Sequence, residues 1–393
     1  MSSQSERYIR SLQMMTSEDE IILHSQRLAH VREWCAERNA CFIALDSVAI
    51  RWLTGFTGSN GIVYLDPDCQ VLFTDSRYAE QAPVEIARHG VDVKCEIALD
   101  PFNRIARLSR KRDVHLDGEK CSWSTKEKIE SLIEGKVINA HKFCLELRCI
   151  KDNSEIVKIR TAAEITCMAL DSALAELNAE TTERELARNI ESFMIEHGAL
   201  NAAYPPIVAA GTNSALPHAS PSNQRICDTN LLLVDVGANY EGYCSDMTRM
   251  IPLSKLTQEQ EYASQMVLDA QTKAIEAIRP GLKAKEIDGI CRDAISNVIP
   301  GGEFLHGTGH GVGLEIHEYP SINSRSDDIL REGMVITVEP GIYIQGSYGV
   351  RWEDLLLVTD SGVEYLTNYE KRTQVLDSNG CLLYTSPSPR DPL

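Results

Sequence analysis

Between residues 42 and 75 the chain alternates short apolar runs with polar breaks: FIALD (42–46), GIVYLD (61–66) and QVLFTD (70–75). Runs of this length, rich in β-branched and aromatic residues and bounded by turn formers, predict strands. Ahead of them, EDEIILHSQRLAHVREWCAERN (18–39) repeats its apolar positions at helical spacing and predicts an amphipathic helix. GFTGSNG (55–61) is Gly-rich but lacks the Lys-Ser/Thr that closes a phosphate loop, so it reads as a turn between strands. This alternation predicts an α/β domain over residues 1–150.

The pattern changes after about residue 150. Asp152, Asn153 and Ser154 offer helix caps, and Ile156, Ile159, Ala163 and Leu170 follow at helical spacing. Thr182-x-x-Glu185 is a capping box for a second helix reaching Gly198. A long loop (204–219) and a strand pair (231–251) come next. Thr257-x-x-Gln260 then opens a third helix that stops before Pro280-Gly281, and a fourth spans roughly 284–298. Strands over 334–344 and 349–360 finish a second domain, 151–377, near Leu376. The tail, 378–393, has no core periodicity in its SPSPRDP section and is set aside as disordered or artefactual. The order helix, helix, acidic strand pair therefore occurs twice, with similar offsets: 103 from Glu155 to Gln258, 104 from Asp235 to Glu339, 107 from Asp246 to Glu353. Residue identity is not repeated, so the repeat is one of architecture.

Composition narrows the function. Of 393 residues, 43% are hydrophobic and 24% charged, as in a globular protein, and the net charge is −18. An acidic chain without clustered Lys and Arg is a poor partner for nucleic acid. No apolar run approaches the ~20 residues that span a bilayer, and the N-terminus lacks an apolar signal core. Twelve cysteines stand singly, without a C-x-x-C pair, which fits free thiols in a reducing cytoplasm.

The carboxylates carry the chemistry. Asp235 ends the apolar run LLLV, a costly place for an unpartnered charge. Asp246 follows across the turn signal NYEGY, and the midpoint of the two, 240.5, falls inside it, so a hairpin should set them opposite each other. Glu339 and Glu353 have their midpoint at Gly346, inside QGSYG, and predict a second hairpin with the same property. Opposed like charges call for something positive between them. Four such acids beside a histidine suit two cations about 3.5–4 Å apart. A donor set of oxygens with one imidazole favours Mn²⁺, with Co²⁺, Fe²⁺ or Zn²⁺ as substitutes. The competing reading pairs each acid with a local base such as Arg249 or Arg351. A dimetal phosphoesterase would need a basic cluster for its phosphate, which the chain does not offer.

VDVGANYEGYCSDMTR, HGTGHGVGLEIHE, VITVEPGIY and GVRWEDLLLVT resemble the signature blocks of the "pita-bread" metallopeptidases of family M24, nearest to the Xaa-Pro group of aminopeptidase P and prolidase. RWLTGFTGSNG…LFTDSRYAEQA is similar to the creatinase-type N-terminal domain those enzymes carry. The resemblance, over about 20–375, implies an α/β (α+β) chain: the small domain first, then a pita-bread catalytic domain with pseudo-two-fold halves. It implies that Asp235 binds one metal, that Asp246 and Glu353 bridge two, and that His310 and Glu339 complete the coordination of the second metal. Glu339 would also take the proton from a bridging water. His218 and His317 would contact substrate and stabilise the tetrahedral intermediate, His306 would line the proline pocket, and Arg351 and Tyr343 would support the site. The implied reaction is Xaa-Pro aminopeptidase, with Xaa-Pro dipeptidase as the alternative, on a peptide with proline second, in a cytoplasmic homodimer. Relatives that keep the fold only for binding lack several of these ligands, and this chain lacks none. It departs from the pattern at ALNAAY (199–204), Gln345 and Trp352, none of them a ligand position. The glycines around His310 are expected to adopt positive φ and let backbone approach the metals.

Overall fold

The computed structural model describes residues 17–296 and 299–371; the tail 378–393, Leu376 and residues 297–298 lie outside them. The described residues fall into two compact units, divided between Arg148 and Cys149.

In the first unit α1 (Ser17–Arg38) leads into β1 (Ala40–Ala44). Asp46 then caps a helix the apolar pattern does not announce, α2 (Ser47–Thr54), by accepting the Ala49 amide. GFTGSNG therefore joins a helix to a strand, not two strands, and Gly55 ends α2 in the left-handed conformation at φ 74°. β2 (Ile62–Leu65), β3 (Gln70–Thr74), α3 (Gln81–Arg88), β4 (Lys94–Ile97), α4 (Phe102–Ser109), β5 (Asp113–Leu116), α5 (Trp123–Leu132), β6 (Val137–Asn139) and α6 (Phe143–Arg148) follow. The six strands form one mixed sheet ordered β4-β3-β2-β1-β5-β6.

The second unit is the doubled one. α7 (Asn153–Ala175) and α8 (Glu183–Glu196) precede β7 (Asn201–Ala202), β8 (Ile207–Ala210), β9 (Leu231–Val236), β10 (Ala238–Tyr240), β11 (Tyr243–Cys244) and β12 (Met247–Pro252). α9 (Gln258–Ala277) and α10 (Ala284–Ile295) precede β13 (Gly302–Glu303), β14 (Gly309–Gly311), β15 (Glu318–Ile322), β16 (Val335–Val338), β17 (Gly341–Ile344), β18 (Tyr348–Arg351), β19 (Asp354–Val358) and β20 (Val363–Tyr365). Both predicted capping boxes form, at Thr182/Glu185 and Thr257/Gln260, and a third joins Asp152 to Glu155. The fourth helix ends at Ile295, short of the expected 298. The loop expected over 204–219 is interrupted by β8, which pairs with β9.

β9 shows why its sequence reads as an unbroken apolar run. All six residues are buried, so both faces are covered. Leu232, Val234 and Val236 pack with α7 and α8 residues such as Leu170, Leu174, Leu186 and Ile190. Leu231 and Leu233 point the other way, onto Val267, Met250 and Trp352. Burial of each such side chain stabilises the fold by about 1.5–3 kcal/mol. Asp235 lies on the second face by strand alternation, at the end where the apolar packing stops.

The two hairpins obey the midpoint argument unequally. The second is as expected: Gly341 faces Arg351 and Val338 faces Asp354, so the centre is 346, where Gly346 has φ 73°. The first is displaced. Asp235 faces Thr248, and Val236 faces Met247, which centres the hairpin on 241.5. The cause is a two-residue turn in which Glu241 and Gly242 both take positive φ, 46° and 81°, the geometry that matches strand twist in tight hairpins. Asp235 and Asp246 are thus diagonal neighbours on one face, not directly opposed.

Candidate metal centre

A cavity of about 630 Å³ in the second unit collects nine of the ten residues singled out in the sequence: His218, Asp235, Asp246, His306, His310, His317, Glu339, Arg351 and Glu353. The tenth, Tyr343, stands behind its wall, with its hydroxyl 2.8 Å from His306 Nε2 and accepting Arg351 Nη1 at 2.6 Å. Residues up to 135 apart in the chain meet because both hairpins and both histidine loops end at the same place.

Asp246, His310 and Glu353 bring ligand atoms within 4.8 Å of one another. His310 Nε2 lies 3.4 Å from Glu339 Oε1 and 3.6 Å from Asp246 Oδ2. Asp235 stands beside this trio and is paired with Arg351, which donates Nη2 to its Oδ2 at 2.5 Å. Of the four acids, Asp235 alone is ion-paired with one of the two bases named in the competing reading. Arg249 instead pairs with Asp354 at 2.7 Å, outside the cavity.

Three residues that the sequence reading did not single out complete the frame. Tyr204, noted there only as part of a departure, points its hydroxyl at Asp235 Oδ1 (2.5 Å) and at Asp246 Oδ1. Thr248, opposite Asp235, donates to Glu353 Oε2 at 2.7 Å and accepts Arg351 Nε at 3.1 Å. Thr337 accepts the His310 amide at 3.1 Å. Hydroxyls such as these leave no periodic trace; the register of β12 against β9 was the one available signal for Thr248.

The glycines of HGTGH serve sheet packing. Gly307, Gly309, Gly311 and Gly313 do not adopt positive φ, contrary to expectation. A Cβ on Gly309 would sit 2.1 Å from the Thr337 carbonyl oxygen, and one on Gly311 would sit 2.3 Å from that of Tyr319. They let β14 lie between β15 and β16 and so set His310 into the cavity. His317 falls one residue before β15, in a bend, and its ring meets that of His310 edge-on at 4.4 Å between centroids.

The donor set fits a cation. Four carboxylates meet a single guanidinium in a mostly buried space, leaving surplus negative charge that burial makes costly. The Tyr204 hydroxyl has one hydrogen but touches two carboxylates, so it satisfies one of them. Burial, with Asp235 adding repulsion, holds the Asp246 carboxyl well above the usual range, and Glu353 is raised by burial and by Asp246. Burial pushes Glu339 up to about 8, Arg351 opposing and Asp235 assisting. His306 and His310 are pushed down to about 4, first by burial, then by Arg351 and His317 respectively, so both are neutral imidazoles near pH 7, the form that binds metal.

These shifts set a pH dependence for chelated protein. Between about 4.5 and 8 the folded state keeps a proton on Glu339 that the unfolded state releases. The associated stability is fully present below the lower value and is lost as pH rises through the upper one. Melting of EDTA-treated protein should therefore fall in temperature from pH 5 to 8.5, and Glu339→Gln should flatten that fall. An equal slope in both proteins would contradict this account.

A second group, Asp117, Glu119 and His141 in the first unit, also places ligand atoms within 4.8 Å, but Glu119 and His141 are exposed, a common surface arrangement. Every cysteine among the described residues is a free thiol, and Cys244 is buried in the core. Among the described residues no helix is long and apolar enough to cross a membrane.

The chain is similar to known proteins over both units. Residues 157–360 match "Metallopeptidase family M24", and residues 27–150 match "Creatinase/Prolidase N-terminal domain". A peptidase of Bacillus subtilis (strain 168) is 36% identical over 334 residues, 83% of this chain and 93% of its own. Among solved structures, an Xaa-Pro dipeptidase from Bacillus anthracis superposes with TM-score 0.81 at 32% identity, covering 91% of this chain and 99% of that one. An X-Pro aminopeptidase from Thermotoga maritima gives 0.79 at 30%, covering 88% and 98%.

Proposed function

Because the chain belongs to metallopeptidase family M24, with a creatinase/prolidase-type N-terminal domain, we propose that it hydrolyses the bond between an N-terminal residue and a following proline. The observation that carries this reading is the buried cluster of Asp246, His310 and Glu353, flanked by Asp235 and Glu339. Those five residues would hold two divalent cations, with manganese the best match to their donors. Bound there, the cations supply Lewis acidity, which makes hydroxide available near neutral pH.

The chain's own residues do the rest. Glu339, with Oε1 3.4 Å from His310 Nε2, is placed to accept a proton at Oε1 when it is ionised. His218 and His317 line the open side of the cavity, where ring N–H groups can stabilise charge developing on the scissile carbonyl oxygen. His306, fixed between the Gly307 carbonyl and Tyr343, offers a ring edge for proline. Arg351 keeps Asp235 in place and also donates to the Pro217 carbonyl, next to His218. A proline-following bond is a tertiary amide without an N–H, so a site shaped for the ring replaces recognition through that donor.

The dipeptidase form of the reaction is favoured by the likeness to the B. anthracis Xaa-Pro dipeptidase. The aminopeptidase form, expected from the sequence, is supported by the T. maritima enzyme at nearly equal similarity. A cytoplasmic homodimer belongs to the same reading. The test is turnover by Mn²⁺-loaded protein of an Xaa-Pro dipeptide against the same sequence extended by one residue at its C-terminus. Release of the first residue from the dipeptide alone establishes the dipeptidase, and release from both establishes the aminopeptidase. Full activity after chelation would sink the reading.

A further inference from the structure

His218 reaches the cavity on the loop 211–222, and the structure shows what closes that loop's neck. Glu183, the first residue of α8, is completely buried. Its Oε1 accepts the Ala210 amide at 2.6 Å, at the entry to the loop. Its Oε2 accepts the Ser222 amide at 2.8 Å and the Ser222 hydroxyl at 2.7 Å, at the exit, and Asn213 Nδ2 at 2.9 Å from within. A carboxylate at a helix start is ordinarily explained by the helix dipole or by capping. Here Thr182 and Glu185 already form the cap, and the Glu183 side chain is spent on another segment. The four hydrogen bonds to its carboxyl oxygens are all given by uncharged groups, so both buried oxygens are satisfied.

We propose that Glu183 is a positioning residue for His218, holding both ends of its loop so that the imidazole stays aimed into the cavity. The role rests on the reading of His218 as a substrate-contacting group. Downstream of the neck, the loop is tied to the second hairpin by Ser214 Oγ, which accepts the Gly349 amide at 2.9 Å, and by Arg351 on the Pro217 carbonyl. The other half of the unit is built alike. On α10, buried Asp288 accepts Thr308 Oγ1 at 3.0 Å and Arg292 Nε at 2.7 Å, and Arg292 donates to the carbonyls of Phe304 and His306. In each half, a carboxylate on the second helix holds a histidine-bearing loop.

The test begins with Glu183→Gln. The Ala210 and Ser222 backbone amides can only donate and sit one on each oxygen, so the NH₂ of glutamine must face one of them, and the neck opens. With Mn²⁺-loaded protein, kcat/KM for an Xaa-Pro peptide should fall at least about tenfold, chiefly in kcat, with metal content unchanged. In a His218→Ala background the same substitution should cost less than about twofold, since it acts through that histidine. Losses that multiply would overturn the proposal. Hydrogen exchange supplies a readout independent of turnover: the Ala210 and Ser222 amides should exchange faster in Glu183→Gln while β9 and β12 do not change. Ser222→Ala, which removes one donor and leaves α8 intact, should move the same amides less. Unchanged exchange in both variants overturns the proposal, even if the wild-type chain hydrolyses no Xaa-Pro peptide and the functional reading falls separately.

Discussion

Asp246→Asn protein is expected to fold normally and to lose Xaa-Pro hydrolysis by on the order of a thousandfold or more. The carboxylate lies in the tightest part of the cluster, within ligand distance of His310 and Glu353. Asparagine keeps its shape but offers a cation one neutral oxygen, and turns an NH₂ toward the remaining donors. The fold should not suffer. Burial and Asp235 already disfavour the charged form of Asp246, so a neutral amide is no worse a neighbour in chelated protein. The prediction is thus a dissociation of two observables. Melting temperature after chelation should equal or exceed wild type, while the rise on adding Mn²⁺ should disappear. His310→Ala should likewise lose the rise on adding Mn²⁺, whereas His317→Ala, outside the ligand cluster, should keep its metal and lose turnover. Metal content by mass spectrometry, read with the melts, checks all three. If His310→Ala and His317→Ala lost metal equally, the division of roles among the histidines would be wrong.

The second large effect concerns stability. Arg249→Ala should lower the unfolding free energy of the second unit by about 3–5 kcal/mol. Arg249 sits on β12 with its side chain 2% exposed, paired at 2.7 Å with Asp354 on β19, which is 1% exposed. It also donates to the carbonyls of Thr248, Glu353 and Tyr369. One guanidinium therefore binds the first hairpin to the second. Truncation leaves Asp354 buried with Lys371, Gln271 and Thr367 as its remaining partners, and three carbonyls short of a donor. The double variant with Asp354→Ala should lose less than the sum of the single losses, because the two side chains share one ion pair that either single change already removes. Urea unfolding of the four proteins measures this; a loss below about 1 kcal/mol in Arg249→Ala would refute it.

Much of the site was legible because its acids interrupt strong local patterns. Asp235 ends an apolar run, and Glu339 and Glu353 flank a turn whose centre can be computed from numbering. The second hairpin has that centre, at Gly346. The first does not, because positive φ at both Glu241 and Gly242 makes a two-residue turn and moves the register. A shift of this kind keeps both aspartates on the same face, so the reading of a shared site survived an error in pairing. The helix α2 was missed because eight residues beginning SVAI look as much like strand as helix.

The sequence by itself determined the parts whose causes are local. Capping boxes set helix starts, continuous apolar runs marked strands buried on both faces, and paired acids beside turns marked the chemistry. Tertiary structure decided which groups those parts would meet. Tyr204 joining Asp235 to Asp246, Thr248 serving Glu353 and Arg351 together, Arg351 choosing Asp235, and Glu183 closing the His218 loop all link residues 27 to 116 positions apart. Such contacts leave no period in the chain. They are selected by the desolvation of charge, which requires each buried carboxylate to find donors wherever the fold brings them.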